Sequence, residues 1–207
     1  MSNFINQVGG PTIVIFIGGI ITLIGAVLAA VDQNRIGSRL EEKNEEIIRL
    51  NHSISDAITG GDSFCFLRIY QPSSNRKLSA IVVHSGDFPI YDVSCRIVDI
   101  DEFRKKADGS QDIYKGVESF LTLGNIAPTQ AFETGPVFPT NTAIKRFNIF
   151  FSARNGFFVQ QLRISILGDE MFTAMRVTRD AKDGSKIILF EEIQENYPKE
   201  PDGTINW

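Results

Sequence analysis

The order of apolar and polar positions divides the chain into three regions with different periods. Residues 11–31 are uniformly apolar, with no charged side chain over 21 positions. Residues 32–59 carry apolar side chains at alternating spacings of three and four, and from residue 62 onward short apolar runs alternate every second position. Because helices repeat every 3.6 residues and strands every two, this order predicts a long helix followed by a β-rich domain.

The uniformly apolar region predicts one membrane-spanning helix. About 20 apolar residues cross the roughly 30 Å hydrocarbon core of a bilayer, and a soluble helix is seldom uncharged on every face over that length. A cleaved signal peptide is the alternative, with Val27-Leu28-Ala29 as a passable cleavage site. Two features oppose it. Residues 1–10, a short N-terminal flank, contain no Lys or Arg, and the apolar run exceeds the roughly 7–15 residues of a signal-peptide core.

The charges beside this segment predict its orientation. Four basic residues follow it within about 20 positions of the membrane, whereas none precedes it: Arg35, Arg39, Lys43 and Arg49. An excess of Lys and Arg marks the cytoplasmic side of a spanning helix. The sequence therefore predicts a single-pass protein of the cell membrane with its C-terminal domain in the cytoplasm.

Small residues follow one face of the apolar segment. Gly18, Thr22, Ala26 and Ala30 are spaced by four. Such a stripe lets two helices approach closely in lipid, but Gly is also common in spanning helices generally. A packing stripe and a chance pattern both stay open as interpretations.

Residues 32–59 predict a helical stalk with a short coiled-coil seam. The apolar spacing fills heptad positions a and d, except that Lys43 occupies one d position: Leu40, Ile47 and Ile54 at a, with Ile36, Leu50 and Ala57 at d. Mostly Ile at a with Leu at d favours a parallel dimer. The alternative is a lone amphipathic helix that packs on its own domain or on a partner. Gly60 and Gly61 end the helix and predict a hinge.

Residues 62–197 predict a mainly β domain. Eight or nine short alternating runs favour an antiparallel β-sandwich, immunoglobulin-like, or a barrel: residues 63–70, 78–84, 89–101, 120–123, 131–138, 144–153, 157–167, 171–178 and 186–193. Asn155-Gly156 between two such runs predicts a hairpin. The one helical candidate in the domain is residues 112–120. Residues 198–207 predict an irregular tail whose terminal Trp207 packs on its own domain rather than on a partner.

Charge and cysteine content narrow the function classes. Residues 1–61 contain 4 Lys/Arg and 6 Asp/Glu, and residues 62–207 contain 17 and 19, so the basic surface of a nucleic-acid binder is not expected. The two cysteines, Cys65 and Cys95, and the two histidines lack zinc-site spacing. Both thiols are predicted to be buried and free, with a disulfide as the alternative in an oxidising compartment.

No motif in the chain indicates catalytic residues, a cofactor or a metal site. The closely spaced acids Asp99, Asp101 and Glu102 predict a solvated strand end, with a cation site as the less favoured alternative. The basic run at residues 104–106 predicts a solvated loop.

The adjacent Phe157 and Phe158 follow the predicted turn and, with Arg154, form a candidate partner-binding tip. The sequence thus predicts a non-enzymatic, membrane-anchored interaction or scaffold module, an accessory subunit of a membrane-associated complex that forms a parallel homodimer. The protein partner is not identified by the sequence. Two alternatives stay open: a membrane-tethered sensor that binds a small molecule or ion through the β domain, and a triggered effector that assembles through its transmembrane helix.

Overall fold

The computed structural model of the protein describes residues 9–70, 78–107, 115–138, 144–168 and 170–207. These form two compact units, which divide between Ile54 and Ser55. The elements, in chain order, are α1 Gly9–Thr59, β1 Phe64–Tyr70, β2 Leu78–Ser85, β3 Ile90–Asp99, α2 Ile100–Ala107, β4 Glu118–Ile126, β5 Ala131–Phe138, β6 Ile144–Ala153, β7 Gly156–Leu167, β8 Glu170–Asp180 and β9 Lys186–Ile193.

Most of α1 belongs to the first unit, and its last turn, residues 55–59, belongs to the second. The helix continues without a break from the apolar region through the predicted stalk. The helix has 51 residues, which gives a length of about 76 Å at roughly 1.5 Å per residue. It is long and apolar enough to cross a membrane. Every side chain from position 14 to position 54 is exposed, so the helix makes no core of its own. The predicted helix and its end before Gly60 are confirmed.

The second unit is a sandwich of two antiparallel sheets, as the sequence predicts. One sheet has the order β1-β2-β5 and the other β4-β3-β6-β7-β8-β9. Numbered along the chain, the strands of a constant immunoglobulin domain lie as 1-2-5-4 facing 3-6-7. Here β4 pairs with β3 instead, and β8 and β9 widen the second sheet. The fold is therefore an immunoglobulin-like strand order with one strand switched and two added.

Alternating side chains from the two sheets build the core between them. Phe147, Ile149 and Phe151 of β6 are buried, as their period of two predicts. The ring of Phe151 stacks on that of Phe158 at 4.9 Å, and Phe158 meets the edge of Phe64 from the other sheet at 6.5 Å. Interlocking rings thus join the sheets.

One polar side chain also joins the two sheets through this core. Gln160 of β7 is fully buried, and its amide accepts a hydrogen bond from the Leu67 N–H at 2.8 Å and donates one to the Leu67 carbonyl at 2.7 Å. Strand β1 lies at the edge of its sheet, so backbone groups that point away from β2 need another partner. Gln160 supplies that partner from the opposite sheet.

Two predictions are wrong at helix α2. The strand predicted over residues 89–101 ends at Asp99, and residues 104–106 are helical rather than a loop. Asp99 caps the helix, because its Oδ1 accepts hydrogen bonds from the backbone N–H groups of Asp101 and Glu102, each at 3.0 Å. Acidic residues occupy the first turn and basic residues the last, which complements the helix dipole.

The prediction that the three neighbouring acids form a solvated strand end is also wrong. Asp99 is buried and pairs with Lys145 at 2.8 Å, where both side chains are almost inaccessible to solvent. Asp101 pairs with Arg146 of β6. The acids therefore attach α2 to the sheet, and the basic side chains that neutralise them come from a strand about 45 residues away along the chain.

Two local predictions are shifted or replaced. The hairpin predicted at Asn155-Gly156 is confirmed, but its turn residues are Arg154 and Asn155, and Gly156 already pairs with Ala153. The helix predicted over residues 112–120 is wrong where the structure describes it, because residues 115–117 form a turn and β4 begins at Glu118. Residues 112–114 of that prediction lie outside the described residues.

Candidate functional site

Most of the exposed large apolar side chains among the described residues lie on α1. Gly18, Ile36 and Ile54 are 18 residues apart, which is five turns of an α-helix, so they lie on the same face. The predicted seam residues are each 48–59% exposed: Ile36, Leu40, Ile47, Leu50 and Ile54. Burial of such side chains against a second surface would be strongly favourable.

The small-residue stripe has free space beside Gly18, and the hydroxyl of Thr22 within it has a hydrogen-bond partner. A Cβ added at Gly18 would meet nothing within 4 Å. The Thr22 hydroxyl donates a hydrogen bond to the Gly18 carbonyl at 2.8 Å, so it is satisfied within the helix. Ala26 and Ala30 continue the stripe along α1. Its role in packing stays a prediction.

Lys43, the charged residue in the predicted seam, has a partner within the helix. Its Nζ lies 2.7 Å from Glu46 Oε2, and both side chains are largely exposed. A surface pair of this kind adds little stability. It does place a negative charge beside the one basic position of the seam.

Three side chains of the sandwich hold the segment that enters it, and we call Tyr91, Arg154 and Asn155 the junction clamp. The Tyr91 hydroxyl donates to the Ala57 carbonyl at 3.0 Å, and the Asn155 amide donates to the carbonyls of Gly61 at 3.0 Å and Ser63 at 2.7 Å. Helix ends leave carbonyls without intrahelical partners, and donors of this kind satisfy them.

Arg154 of the junction clamp is fixed by three contacts of its own. Its guanidinium lies over the Tyr91 ring at 4.8 Å, pairs with Asp92 at 2.8 Å and donates to the Ile58 carbonyl at 3.4 Å. Arg154 therefore contacts the last helical turn, residues 55–59. Its predicted place in a partner-binding tip stays a prediction.

The two glycines that follow have backbone conformations that suit few other residues. Gly60 has φ 106° and Gly61 φ 51°. A Cβ at Gly61 would lie 2.9 Å from the Phe88 ring, and one at Gly60 would lie 3.1 Å from the Pro89 carbonyl oxygen. Glycine is thus needed at both positions for the tight connection. The predicted hinge motion stays a prediction.

The structure separates the two phenylalanines of the predicted tip. Phe157 is 75% exposed, whereas Phe158 is 1% exposed and belongs to the core. Adjacent strand residues face opposite sides of a sheet, so only one of them can be accessible. Phe158 is therefore removed from the candidate surface, and Phe157 remains its apolar contact.

Both cysteines are free and buried, as predicted, on β1 and β3. Burial raises the pKa of the Cys65 thiol far above its usual range and that of Cys95 to about 12. Neither thiol is therefore a nucleophile near neutral pH. Within the described ranges, no group of three or more His, Cys, Asp or Glu residues could hold a metal ion.

The end of the chain packs across the outer face of the six-stranded sheet, and we call residues 194–207 the C-terminal strap. The Arg176 guanidinium lies 4.3 Å from the centre of the Trp207 ring, and Arg163 Nε donates to the Asn206 carbonyl at 2.8 Å. Trp207 thus packs on its own domain, as the sequence predicts. A cavity of about 470 Å³ lies beside the strap, against β6 and β7.

Comparison of the chain with protein-family models, with curated proteins and with solved structures finds no match. Function is therefore inferred from the residues of this chain alone. The features that bear on it are the exposed face of α1, the junction clamp, Phe157 and the cavity beside the strap.

Proposed function

We propose that this protein is a single-pass, membrane-anchored interaction module, an accessory subunit of a membrane-associated complex without enzymatic activity of its own. The observation that carries the proposal is α1. One unbroken helix combines an uncharged segment of spanning length with an exposed apolar seam. An exposed apolar surface of this length is unfavourable in water and marks a surface that lipid or protein covers.

The partner that best fits the seam is a second copy of the chain in parallel. Ile at two of the three a positions and Leu at one d position favour two parallel strands, and Glu46 lies close enough to balance Lys43. Three heptads alone would be marginal in water. Two copies anchored in the same membrane have a high effective concentration, which favours the pair without any further contact.

The same helix face is proposed to serve in lipid and in water. Gly18 in the spanning segment shares its face with Ile36 and Ile54 in the stalk. Small residues pair helices in lipid by close packing, and large aliphatic residues pair them in water by apolar burial. Anchor and stalk then act as one association element, and Phe157 supplies an apolar contact for a protein partner of the complex.

A membrane-tethered sensor is the second candidate function. The cavity beside the C-terminal strap favours it, since its volume of about 470 Å³ is in the range of small-molecule sites. In this function the β domain binds a soluble ligand, and the helix keeps the domain at the membrane.

Topology is tested with Lys182→Cys, at an exposed position in the turn between β8 and β9. In cells that express the full chain, a membrane-impermeant maleimide is expected to label this cysteine only after permeabilisation. The buried Cys65 and Cys95 give no background. Ser2→Cys is the matched control and is expected to be labelled in intact cells. Labelling of Lys182→Cys in intact cells would place the domain outside and contradict the orientation.

A further inference from the structure

The cavity beside the C-terminal strap lies on the outer face of the six-stranded sheet. Its walls come from α2, β6 and β7 on one side and from the strap on the other. The charged lining residues are Arg146, Lys199, Asp101 and Glu200, and the others include Ile144, Ser165, Tyr197 and Asn206. Ile144 and the ring of Tyr197 are suited to an organic body, while Arg146 and Lys199 are suited to negative charge. The cavity therefore has both chemical features of a small-molecule site.

Positive charge is concentrated on this part of the sheet. Arg146 of β6 and Arg163 of β7 stand directly opposite each other, an arrangement that is destabilising for like charges. Asp101 pairs directly with Arg146, through hydrogen bonds to the backbone N–H at 2.9 Å and to Nε at 2.7 Å. It acts on Arg163 only from a longer distance, without a direct ion pair.

Arg163 is buried without a carboxylate partner. It is 2% exposed, and none of the hydrogen bonds that its guanidinium makes to the described residues goes to a carboxylate. Its hydrogen bonds go to uncharged acceptors: the carbonyls of Phe147, Leu162 and Asn206 and the side-chain oxygen of Asn148. Burial lowers its pKa to about 10. A buried cation normally has a negative partner, since desolvation of an isolated charge is costly.

Ser165 carries an unsatisfied hydroxyl two residues further along the same face of β7. The residue is fully buried and lines the cavity, and its hydroxyl has no hydrogen-bond partner among the described residues. The great majority of buried polar side chains have such a partner. A ligand with an oxygen acceptor in the cavity would provide one.

We propose that this cavity binds a small organic anion whose carboxylate or phosphate group lies between Arg146 and the Ser165 hydroxyl. The anion accepts hydrogen bonds from both side chains, and its charge offsets that of Arg163 beneath the strap. Glu200 also lines the cavity, and its carboxylate accepts a hydrogen bond from the Asn206 amide at 3.3 Å. The ligand body packs against Tyr197 and Ile144. This site goes beyond the proposed anchor function and does not depend on self-association.

The test uses the full chain in phosphatidylcholine nanodiscs. Calorimetric titration with glycerol 3-phosphate, citrate and succinate is expected to show saturable binding of at least one of them. Glycerol and choline, the uncharged and cationic controls, are expected not to bind. The fluorescence of Trp207, the one tryptophan, should change on binding because it lies in the strap. The titration is repeated in phosphatidylglycerol nanodiscs. Weaker binding of the soluble anion there would identify a lipid headgroup as the source of the anion, and unchanged binding would identify a free solute.

Two variants connect binding to the named side chains. Arg146→Gln is expected to weaken binding at least about tenfold, as loss of a charge-assisted hydrogen bond predicts. Ser165→Ala is expected to weaken binding while it preserves or raises the thermal midpoint of the free protein, because it removes an unsatisfied buried hydroxyl. If Ser165 only stabilised the fold, the substitution would not weaken binding while it leaves the thermal midpoint unchanged or raises it. Arg68→Gln, on the other sheet, is the control and should bind as the parent does.

The proposal would be overturned by either of two results. One is a flat titration with all three anions in a protein whose Cys65 and Cys95 are still protected from maleimide, and which is therefore folded. The other is binding that Ser165→Ala and Arg146→Gln both leave unchanged. Neither result would bear on anchoring or pairing through α1.

Discussion

Replacement of Lys145 by methionine is expected to lower the free energy of unfolding of the β domain by about 3–5 kcal/mol, the usual cost of removing one member of a buried ion pair. Lys145 is 3% exposed and lies 2.8 Å from Asp99, so the variant leaves a carboxylate buried beside an apolar side chain. Such a loss is a large part of the total stability of a domain, about 5–15 kcal/mol. Urea unfolding of the full chain in detergent, followed by maleimide exposure of Cys65 and Cys95, measures it.

A second substitution distinguishes loss of the pair from loss of side-chain packing. Asp99→Asn keeps the cap of α2, since asparagine is a good N-cap residue, and removes the charge. Added to Lys145→Met, it should restore part of the lost stability, because no charge then remains buried. Lys182→Met, at an exposed turn, should change stability by no more than about 0.5 kcal/mol. A Lys145→Met effect as small as that of Lys182→Met would mean that the pair is solvated.

Gln160→Leu is expected to cost about 2–6 kcal/mol, or roughly 1–3 kcal/mol for each of the two buried backbone groups that it leaves without a partner. The substitution preserves approximate size and adds apolar surface, so a simple transfer argument would predict stabilisation. We expect a lower free energy of unfolding instead, because β1 is an edge strand and the Leu67 N–H and carbonyl lose the Gln160 side chain as their hydrogen-bond partner. Urea unfolding, followed by maleimide exposure of Cys65 and Cys95, measures the effect.

The neighbouring residue provides the matched control for this change. Gln161 lies on the opposite face of β7 and is half-buried. Gln161→Leu should therefore leave stability within about 0.5 kcal/mol of the parent. Equal stability of the two variants would show that Gln160 does not hold the sheets together.

Period-two patterns predicted the sandwich well because most strands have one buried face. β6 and β9 have their predicted limits, and Asn155-Gly156 marked the hairpin between β6 and β7 to within one residue. The apolar segment of α1 was equally predictable, since an uncharged run of that length has few other structures than a helix. These features depend on local sequence alone.

Helix α2 was missed although its signals are in the sequence. Asp99 precedes acidic residues in the first turn and basic residues in the last, the pattern of a capped helix. Its eight residues are too few to show the apolar period that predicts longer helices. The capping pattern by itself predicts this helix.

The junction clamp, the Gln160 bridge and the cavity could not be predicted, because each depends on residues far apart in the chain. The sequence predicts that Asn155 is a turn residue, yet its amide donates hydrogen bonds to the carbonyls of Gly61 and Ser63, more than 90 positions earlier. The charge of Arg163 indicates a candidate anion site only in the folded domain, where the strap covers Arg163 and Arg146 lies opposite it. Tertiary placement, not residue type, gives these side chains their roles.

The most direct test of the proposed function is disulfide cross-linking along α1 in native membranes. Single cysteines at the a positions, Leu40→Cys, Ile47→Cys and Ile54→Cys, are compared with cysteines on the opposite face: Ser38→Cys, Glu45→Cys and His52→Cys. All six positions are exposed, and the buried native thiols add no background. Mild oxidation is expected to give covalent dimers at the three a positions and few at the others, because equivalent a residues meet in a parallel pair. Equal cross-linking on both faces, or none at the a positions, would contradict pairing through this helix.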